Sequence, residues 1–166
     1  MAVVIAGQLM SDAVKKLIDY WRGQGLSLSP GCDPKFVAEF EGRHHVELPR
    51  AVRAYYVAAD GMKETPNDSE DINGFSFWPL ARVSRVHEVT DGALIPPFNN
   101  DVDFFIFADY MQWSWAYAVS CAPRSIGSVI LVGRHPPEQV ATSFEEFVDL
   151  YISNSDRLYK SPPFEG

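Results

Sequence analysis

Apolar side chains recur at the 3.6-residue period of an amphipathic helix in four stretches of the chain. Each stretch opens with residues that often begin a helix: Ser11 or Asp12, then Asp33 with Pro34, then Leu48 with Pro49, then Ser143 with Glu146. Oxygen atoms of such side chains accept the free amide hydrogens of a first turn, and proline suits that turn because it has no amide hydrogen. The pattern predicts helices at 9–22, from 34, from 49 to an ending at Asp60 and Gly61, and at 143–152.

The predicted helices each have one apolar face. We expect the core-facing residues to be Leu9, Ala13, Leu17, Tyr20 and Trp21 in the first, Phe36, Val37 and Phe40 in the second, Val52, Tyr55 and Tyr56 in the third, and Phe144, Phe147, Val148 and Tyr151 in the last.

Between the third and fourth helices the pattern changes to the period of two that is typical of strands. From residue 111 to residue 120, bulky side chains alternate with small or polar ones, which predicts a strand with one bulky face. Residues 104–107 are all large and apolar, as in a strand covered on both faces. Shorter strands are predicted at 75–77 and 128–132.

The order of elements is helices, then strands, then a helix. This grouping predicts an α+β fold with a mainly antiparallel sheet, because parallel sheets need alternating strands and helices. With 166 residues, of which 46% are hydrophobic, the chain can bury a sizeable core without a disulfide or a metal. We therefore expect a single domain over residues 1–166.

The chain is acidic, with 22 Asp and Glu against 14 Lys and Arg and a formal net charge of −8. Such a charge disfavours binding to nucleic acids and anionic membranes and favours basic partners. Part of it lies in the polar segment 62–74, the acidic segment, which contains Glu64, Asp68, Glu70 and Asp71. A charged run of this kind is either a solvated loop or a patch that meets a basic partner.

The cysteine content and the N-terminus bear on location. Only Cys32 and Cys121 are present, which is too few for a disulfide framework. The apolar run near the N-terminus has no basic stretch before it, and no 18-residue apolar stretch follows. These features lead us to expect a cytoplasmic protein.

Motifs for the common enzyme chemistries are absent from the sequence. It has neither a glycine-rich phosphate loop nor the G-x-S-x-G turn of α/β-hydrolases. His44 and His45 are adjacent and so point in different directions, which disfavours a shared metal ion. Cys121 has Arg124 nearby and is either a nucleophile or, as we expect, a structural thiol. We predict no catalytic residues, no metal site and no cofactor.

Two interpretations remain for Trp113 and Trp115 on the alternating segment. Their rings either pack in the sheet core against the helices or form the wall of a groove in which they anchor a partner.

Eight short motifs together resemble the SUKH superfamily. They lie at residues 36–41, 46–49, 52–56, 60–61, 77–80, 107–110, 113–119 and 143–147, so the resemblance covers about 33–152. The superfamily pattern has Asn before Gly61, where this chain has Asp60, and both residues tolerate a tight turn. The resemblance implies a curved, mainly antiparallel sheet flanked by helices.

The superfamily includes a fungal regulator of cell-wall assembly and bacterial immunity proteins that neutralise polymorphic toxins, often nucleases. The resemblance therefore implies a protein-binding molecule and not an enzyme. Our leading hypothesis is an immunity protein that blocks a basic toxin domain by steric and electrostatic occlusion. Alternatives are a regulatory or scaffold module of the same fold and, with less support, a small hydrolase. We expect the partner-binding residues to be Glu64, Asp68, Glu70, Asp71, Asp101, Asp103, Trp113 and Trp115.

Overall fold

The computed structural model describes residues 11–89, 103–133 and 137–159, together with the backbone of residues 4–5 and 8–9. Five helices lie in these segments: α1 (Asp12–Gly23), α2 (Pro34–His44), α3 (Arg50–Ala58), α4 (Val86–Val89) and α5 (Phe144–Ile152). A short 3-10 helix follows at Asp156–Leu158.

Four strands form two small antiparallel sheets. These are β1 (Val4–Ile5) with β2 (Gln8–Leu9), and β3 (Leu28–Pro30) with β4 (Ala59–Met62). The second pair joins the segment after α1 to the end of α3.

Six strands form the main sheet, in which every pairing is antiparallel. They are β5 (Phe75–Phe77), β6 (Ser84–Arg85), β7 (Phe104–Tyr110), β8 (Trp115–Ser120), β9 (Val129–Val132) and β10 (Glu138–Ala141). Their order is β10–β9–β8–β7–β5, and β6 pairs with β7 beside β5. The predicted α+β fold with a mainly antiparallel sheet is confirmed.

Three helices begin with the caps that the sequence predicts. The side chains of Ser11, Asp33 and Ser143 accept hydrogen bonds from the amides of Val14, Lys35 and Glu146 at 3.2, 2.9 and 3.0 Å. The Glu146 carboxylate completes the last cap one residue earlier than expected, because it accepts from the amide and the hydroxyl of Thr142 at 2.8 and 2.6 Å. These bonds satisfy amides that a first helical turn leaves free.

The main sheet buries side chains on both faces. On one face large rings pack between the sheet and the helices, and the Phe77 ring centroid lies 4.9 Å from those of both Trp21 in α1 and Tyr151 in α5. The other face buries Phe104, Ile106, Ala116, Ala118, Ile130 and Val132. The small side chains that alternate along β8 are therefore buried as fully as the bulky ones.

Several sequence-based boundaries are wrong. Leu9 lies in β2, so α1 begins only after Ser11. The strand predicted from residue 111 begins at Trp115, because residues 111–114 form a turn. Gly61 does not cap α3, since α3 passes directly into β4 and Gly61, with a φ of 70°, lies within that strand.

Phe36 is also not a core residue. Its side chain is 60% exposed, whereas Val37 and Phe40 of the same helix are buried. The packed face of α2 is thus narrower than its apolar pattern indicates.

Candidate interaction surface

The acidic segment leads from β4 to β5, and its four acids differ in exposure. Glu64 is exposed, Asp68 and Glu70 are half-buried, and Asp71 is buried. Asp68 accepts hydrogen bonds from the Ser27 amide at 3.0 Å and from the Thr65 hydroxyl at 3.1 Å. Three of the four carboxylates are therefore accessible at the surface.

Asp71 anchors the acidic segment in the interior. Its Oδ1 accepts hydrogen bonds from the amides of Asn73 and Phe75 at 2.8 and 2.9 Å, and its Oδ2 accepts from the Tyr151 hydroxyl. That hydroxyl accepts in turn from Trp21 Nε1 at 2.9 Å. Burial and the adjacent Asp71 charge raise the pKa of Tyr151, so the phenol remains a donor at neutral pH. Asp71, expected as a contact residue, instead positions the segment from within.

The turn at residues 111–114 joins β7 to β8 through an unusual backbone. Met111, Gln112 and Trp113 have φ values of 47°, 51° and 71°. A left-handed conformation costs an ordinary residue about 1–2 kcal/mol, so three in succession require compensating contacts.

The buried carboxylate of Asp109 supplies part of that compensation. It accepts hydrogen bonds from the Trp113 amide at 3.3 Å and from Trp78 Nε1 at 2.6 Å. The Trp113 ring packs on Trp78 with a centroid distance of 5.0 Å, and the Arg82 guanidinium carbon lies 4.0 Å from the Trp78 ring centroid. Trp113 is thus held in place while 41% of it is exposed.

The acidic segment and the turn meet at Gly74. The Met111 amide donates to the Gly74 carbonyl at 2.9 Å, and a Cβ on Gly74 would lie 2.7 Å from Met111 Sδ. Ile72 and Met111 are 82% and 54% exposed. We call the resulting site the loop–turn surface, and it consists of Glu64, Asp68, Glu70, Ile72, Met111 and Trp113.

Sequence reasoning missed two members of the loop–turn surface. Ile72 is the one large apolar residue in the polar run 63–74, and that isolation was a usable signal. Met111 continues the alternating pattern of the strand that follows it, so the sequence predicted a strand residue on the bulky face and not an exposed turn residue. Among the residues that the structure describes, six large hydrophobic side chains are exposed, and three of them are Ile72, Met111 and Trp113.

Trp115 does not join this surface. Its ring is buried, stacks on Tyr110 at a centroid distance of 4.3 Å, and donates Nε1–H to the Tyr117 hydroxyl at 2.8 Å. Trp115 therefore packs in the core, as the first interpretation of the two tryptophans has it, whereas the Trp113 ring is partly exposed.

Asp103 lies at the opposite end of β7 from the turn. Its Oδ1 is 3.5 Å from Arg85 Nη2, and the same nitrogen donates to the His44 carbonyl at 2.6 Å. A strand rises about 3.3 Å per residue, so the seven residues of β7 separate Asp103 from the turn by roughly 20 Å. Asp103 is therefore not part of the loop–turn surface, and Asp101 lies outside the described residues.

Neither thiol has the setting of a nucleophile. Burial is the main reason that the pKa of Cys121 is raised to about 12, with the nearby Asp103 charge adding to it. Burial also raises the pKa of Cys32 to about 12, together with a hydrogen bond to Asp60. Both side chains are neutral thiols at neutral pH, whereas attack requires the thiolate.

His44 is held in its neutral form. Arg85 Nη1 lies 3.1 Å from His44 Nδ1 and can donate to it only when that nitrogen is unprotonated. Burial lowers the pKa of His44, and the charges of Arg85 and Arg43 lower it further.

This lowered pKa predicts acid sensitivity. The unfolded chain binds a proton at His44 more readily than the folded chain, so the stability due to neutral His44 is present above the unfolded pKa of about 6.5 and is lost as pH falls below it. His44→Gln should reduce the fall in unfolding free energy between pH 8 and pH 5, measured by urea denaturation. His87→Gln, at an exposed position, controls for the loss of an imidazole. Equal slopes for His44→Gln and the original chain would contradict this assignment.

Two kinds of feature are absent from the described segments, a cluster of metal-ligating side chains and a membrane-spanning helix. No group of three His, Cys, Asp or Glu side chains there could hold a metal ion, and His135 lies outside those segments. No described helix is long and apolar enough to cross a bilayer.

The comparisons with known proteins agree with this architecture. The sequence matches the SMI1/KNR4 family (SUKH-1) over residues 31–150, well over half of the chain and the whole of the main sheet. Among curated proteins, no match is found. The family includes toxin immunity proteins and fungal regulators, and its members are generally not catalytic. A match of this extent, on the fold just described, shows that the chain belongs to the SMI1/KNR4 family (SUKH-1).

Proposed function

We propose that this protein is an immunity protein that binds a toxin domain through the loop–turn surface and neutralises it by occlusion. The observation that carries the proposal is that the acidic segment and the turn it meets together present three accessible carboxylates and three exposed large apolar side chains. Interfaces commonly combine apolar and charged side chains, and tryptophan is among the residues that contribute most when buried by a partner.

The proposed partner is a basic protein domain, such as a nuclease. A chain of net charge −8 attracts a cationic partner over a distance and accelerates the encounter. The carboxylates would then occupy the electropositive cleft that otherwise receives nucleic acid. Inhibition by this route needs no catalytic residue, and it places the protein in the cytoplasm, where such a toxin would act.

Co-expression tests the function directly. Where a toxin gene adjoins this one, cells that produce that toxin should survive when the protein is present at similar levels. Cells that die at the same rate with and without it would contradict the proposal.

The loop–turn surface makes a separate prediction about rates. Replacing both Glu64 and Glu70 by lysine should slow association with the toxin domain about tenfold at low salt and weaken its salt dependence, because long-range attraction is lost.

Trp113→Ala should raise the dissociation constant about 30-fold, mainly through faster dissociation, as expected when an interface anchor is removed. Surface plasmon resonance at several salt concentrations measures both effects.

The matched control places the same charge change elsewhere. Glu47 and Glu138 are exposed and belong to neither the acidic segment nor the turn. Lysine at both positions gives the same net charge as the Glu64 and Glu70 double variant. If both double variants slow association equally, the overall charge and not the loop–turn surface governs the encounter.

A further inference from the structure

A groove of about 330 Å³ lies between α2 and the residues that follow β5. Phe36, Cys32 and Leu80 contribute apolar surface to it, and Asp33, Glu39 and Asp60 contribute carboxylates. None of these six residues belongs to the loop–turn surface, so the groove is a separate feature of the molecule.

Backbone contacts hold the groove in shape. Asp60 Oδ1 accepts a hydrogen bond from the Leu80 amide at 2.7 Å, which ties β4 to the residues that follow β5. The Cys32 amide donates to the Tyr56 carbonyl at 2.7 Å, which fixes the start of α2 against α3. The groove therefore needs little rearrangement to receive a ligand, and this lowers the entropic cost of binding.

The groove has a net negative charge. Among the described residues that line it, Arg43 is the one cation, against three carboxylates. In the described part of the chain no ion pair involves Asp33, Glu39 or Asp60. Asp33 and Asp60 each accept a backbone amide hydrogen, which leaves their charge unneutralised.

Phe36 provides a second kind of complementarity. Its ring is 60% exposed beside these carboxylates. Lysine and arginine carry a charged group on an aliphatic stem, and that stem packs well on apolar surface. The charged group also interacts favourably with the face of an aromatic ring.

We propose that this groove receives an arginine or lysine side chain from a basic segment of a protein partner. The aliphatic stem would pack on Phe36 and Leu80, and the charged group would meet Asp60 and its neighbouring carboxylates. The site is independent of the loop–turn surface and stands whether or not the partner is a toxin.

Nuclear magnetic resonance titration with two capped tripeptides tests the proposal. Leu-Arg-Leu should shift the backbone amide signals of Cys32, Asp33, Phe36 and Leu80, and Leu-citrulline-Leu, its uncharged analogue, should not. Equal shifts with both peptides, no shifts, or shifts confined to the loop–turn surface would overturn the proposal.

Variants link the binding to the named groups. Asp60→Asn keeps the oxygen that accepts from the Leu80 amide and removes the charge, so the fold should tolerate it and the Leu-Arg-Leu affinity should fall about threefold. Phe36→Ala should weaken binding similarly, because the aliphatic stem of the ligand loses the ring on which it packs. The Phe36 side chain is largely exposed, so the fold should tolerate this change as well. Glu47→Gln, outside the groove, should leave the affinity unchanged. An unchanged affinity for Asp60→Asn in a folded protein would also overturn the proposal.

Discussion

Replacing Asp71 with alanine is expected to lower the free energy of unfolding by about 3–5 kcal/mol, because three donors lose a charged acceptor and each buried donor left unpaired costs about 1–3 kcal/mol. The change leaves the Tyr151 hydroxyl and the amides of Asn73 and Phe75 without their acceptor. Asp71→Asn should cost less, because its remaining side-chain oxygen can still accept from both amides. Urea denaturation at neutral pH measures each difference.

Tyr151→Phe separates the two halves of this network. The variant removes the hydroxyl that Asp71 and Trp21 share, but leaves the two amide bonds of Asp71 intact. A double-mutant cycle between Asp71→Ala and Tyr151→Phe should give a coupling energy of about 1 kcal/mol or more. Additive effects, or a loss below about 1 kcal/mol for Asp71→Ala, would show that the anchor contributes little.

Gly61→Ala is expected to destabilise the fold by about 2–4 kcal/mol through backbone strain and overpacking. Gly61 has a φ of 70°, and a Cβ there would lie 2.6 Å from the Trp78 carbonyl carbon and 2.7 Å from Pro79 N. These atoms belong to the backbone, so no side-chain rotation can relieve the contact. Thermal and denaturant unfolding should both report the loss.

Gly42 supplies the matched control. It lies inside α2, and apart from the helix's own backbone and the two neighbouring residues no atom lies within 4 Å of the position that a Cβ would occupy. Gly42→Ala should raise the free energy of unfolding by about 0.5–1 kcal/mol, because alanine favours the helix more than glycine does. The two substitutions should therefore act with opposite signs. Destabilisation of similar size by both would contradict the role assigned to Gly61.

Features that depend on near neighbours in the chain were predictable. The caps at Ser11, Asp33 and Ser143 join atoms at most three residues apart, so a short stretch of sequence contains both partners of each hydrogen bond. The strand at residues 104–107 was predictable for a similar reason, since four consecutive large apolar residues need cover on both faces.

Features that depend on distant residues were not predictable in the same way. Trp113 keeps its place in the bulky alternation, yet it lies in a turn that Asp109 and Trp78 support. Asp71 is one of four acids in a polar segment, and its burial against Tyr151, 80 residues away, distinguishes it from the other three. The negative charge of the candidate surface was therefore predictable, and Trp113 was one of two candidates for an exposed ring. Which of the predicted residues are accessible could be decided only from the tertiary structure.

The aromatic core reaches beyond the stretch that the family shares. Trp21 precedes residues 31–150, yet it is fully buried, and its indole nitrogen donates to Tyr151. Leu158 follows that stretch, is also fully buried, and accepts a hydrogen bond from the Tyr117 hydroxyl at 2.6 Å. A segment that folds on its own after transfer to another protein must therefore extend beyond residues 31–150, the range that the family shares. A chimera joined at residues 31 and 150 would lose two buried rings, those of Trp21 and Tyr151, together with Leu158 and the buried aliphatic side chains of α1.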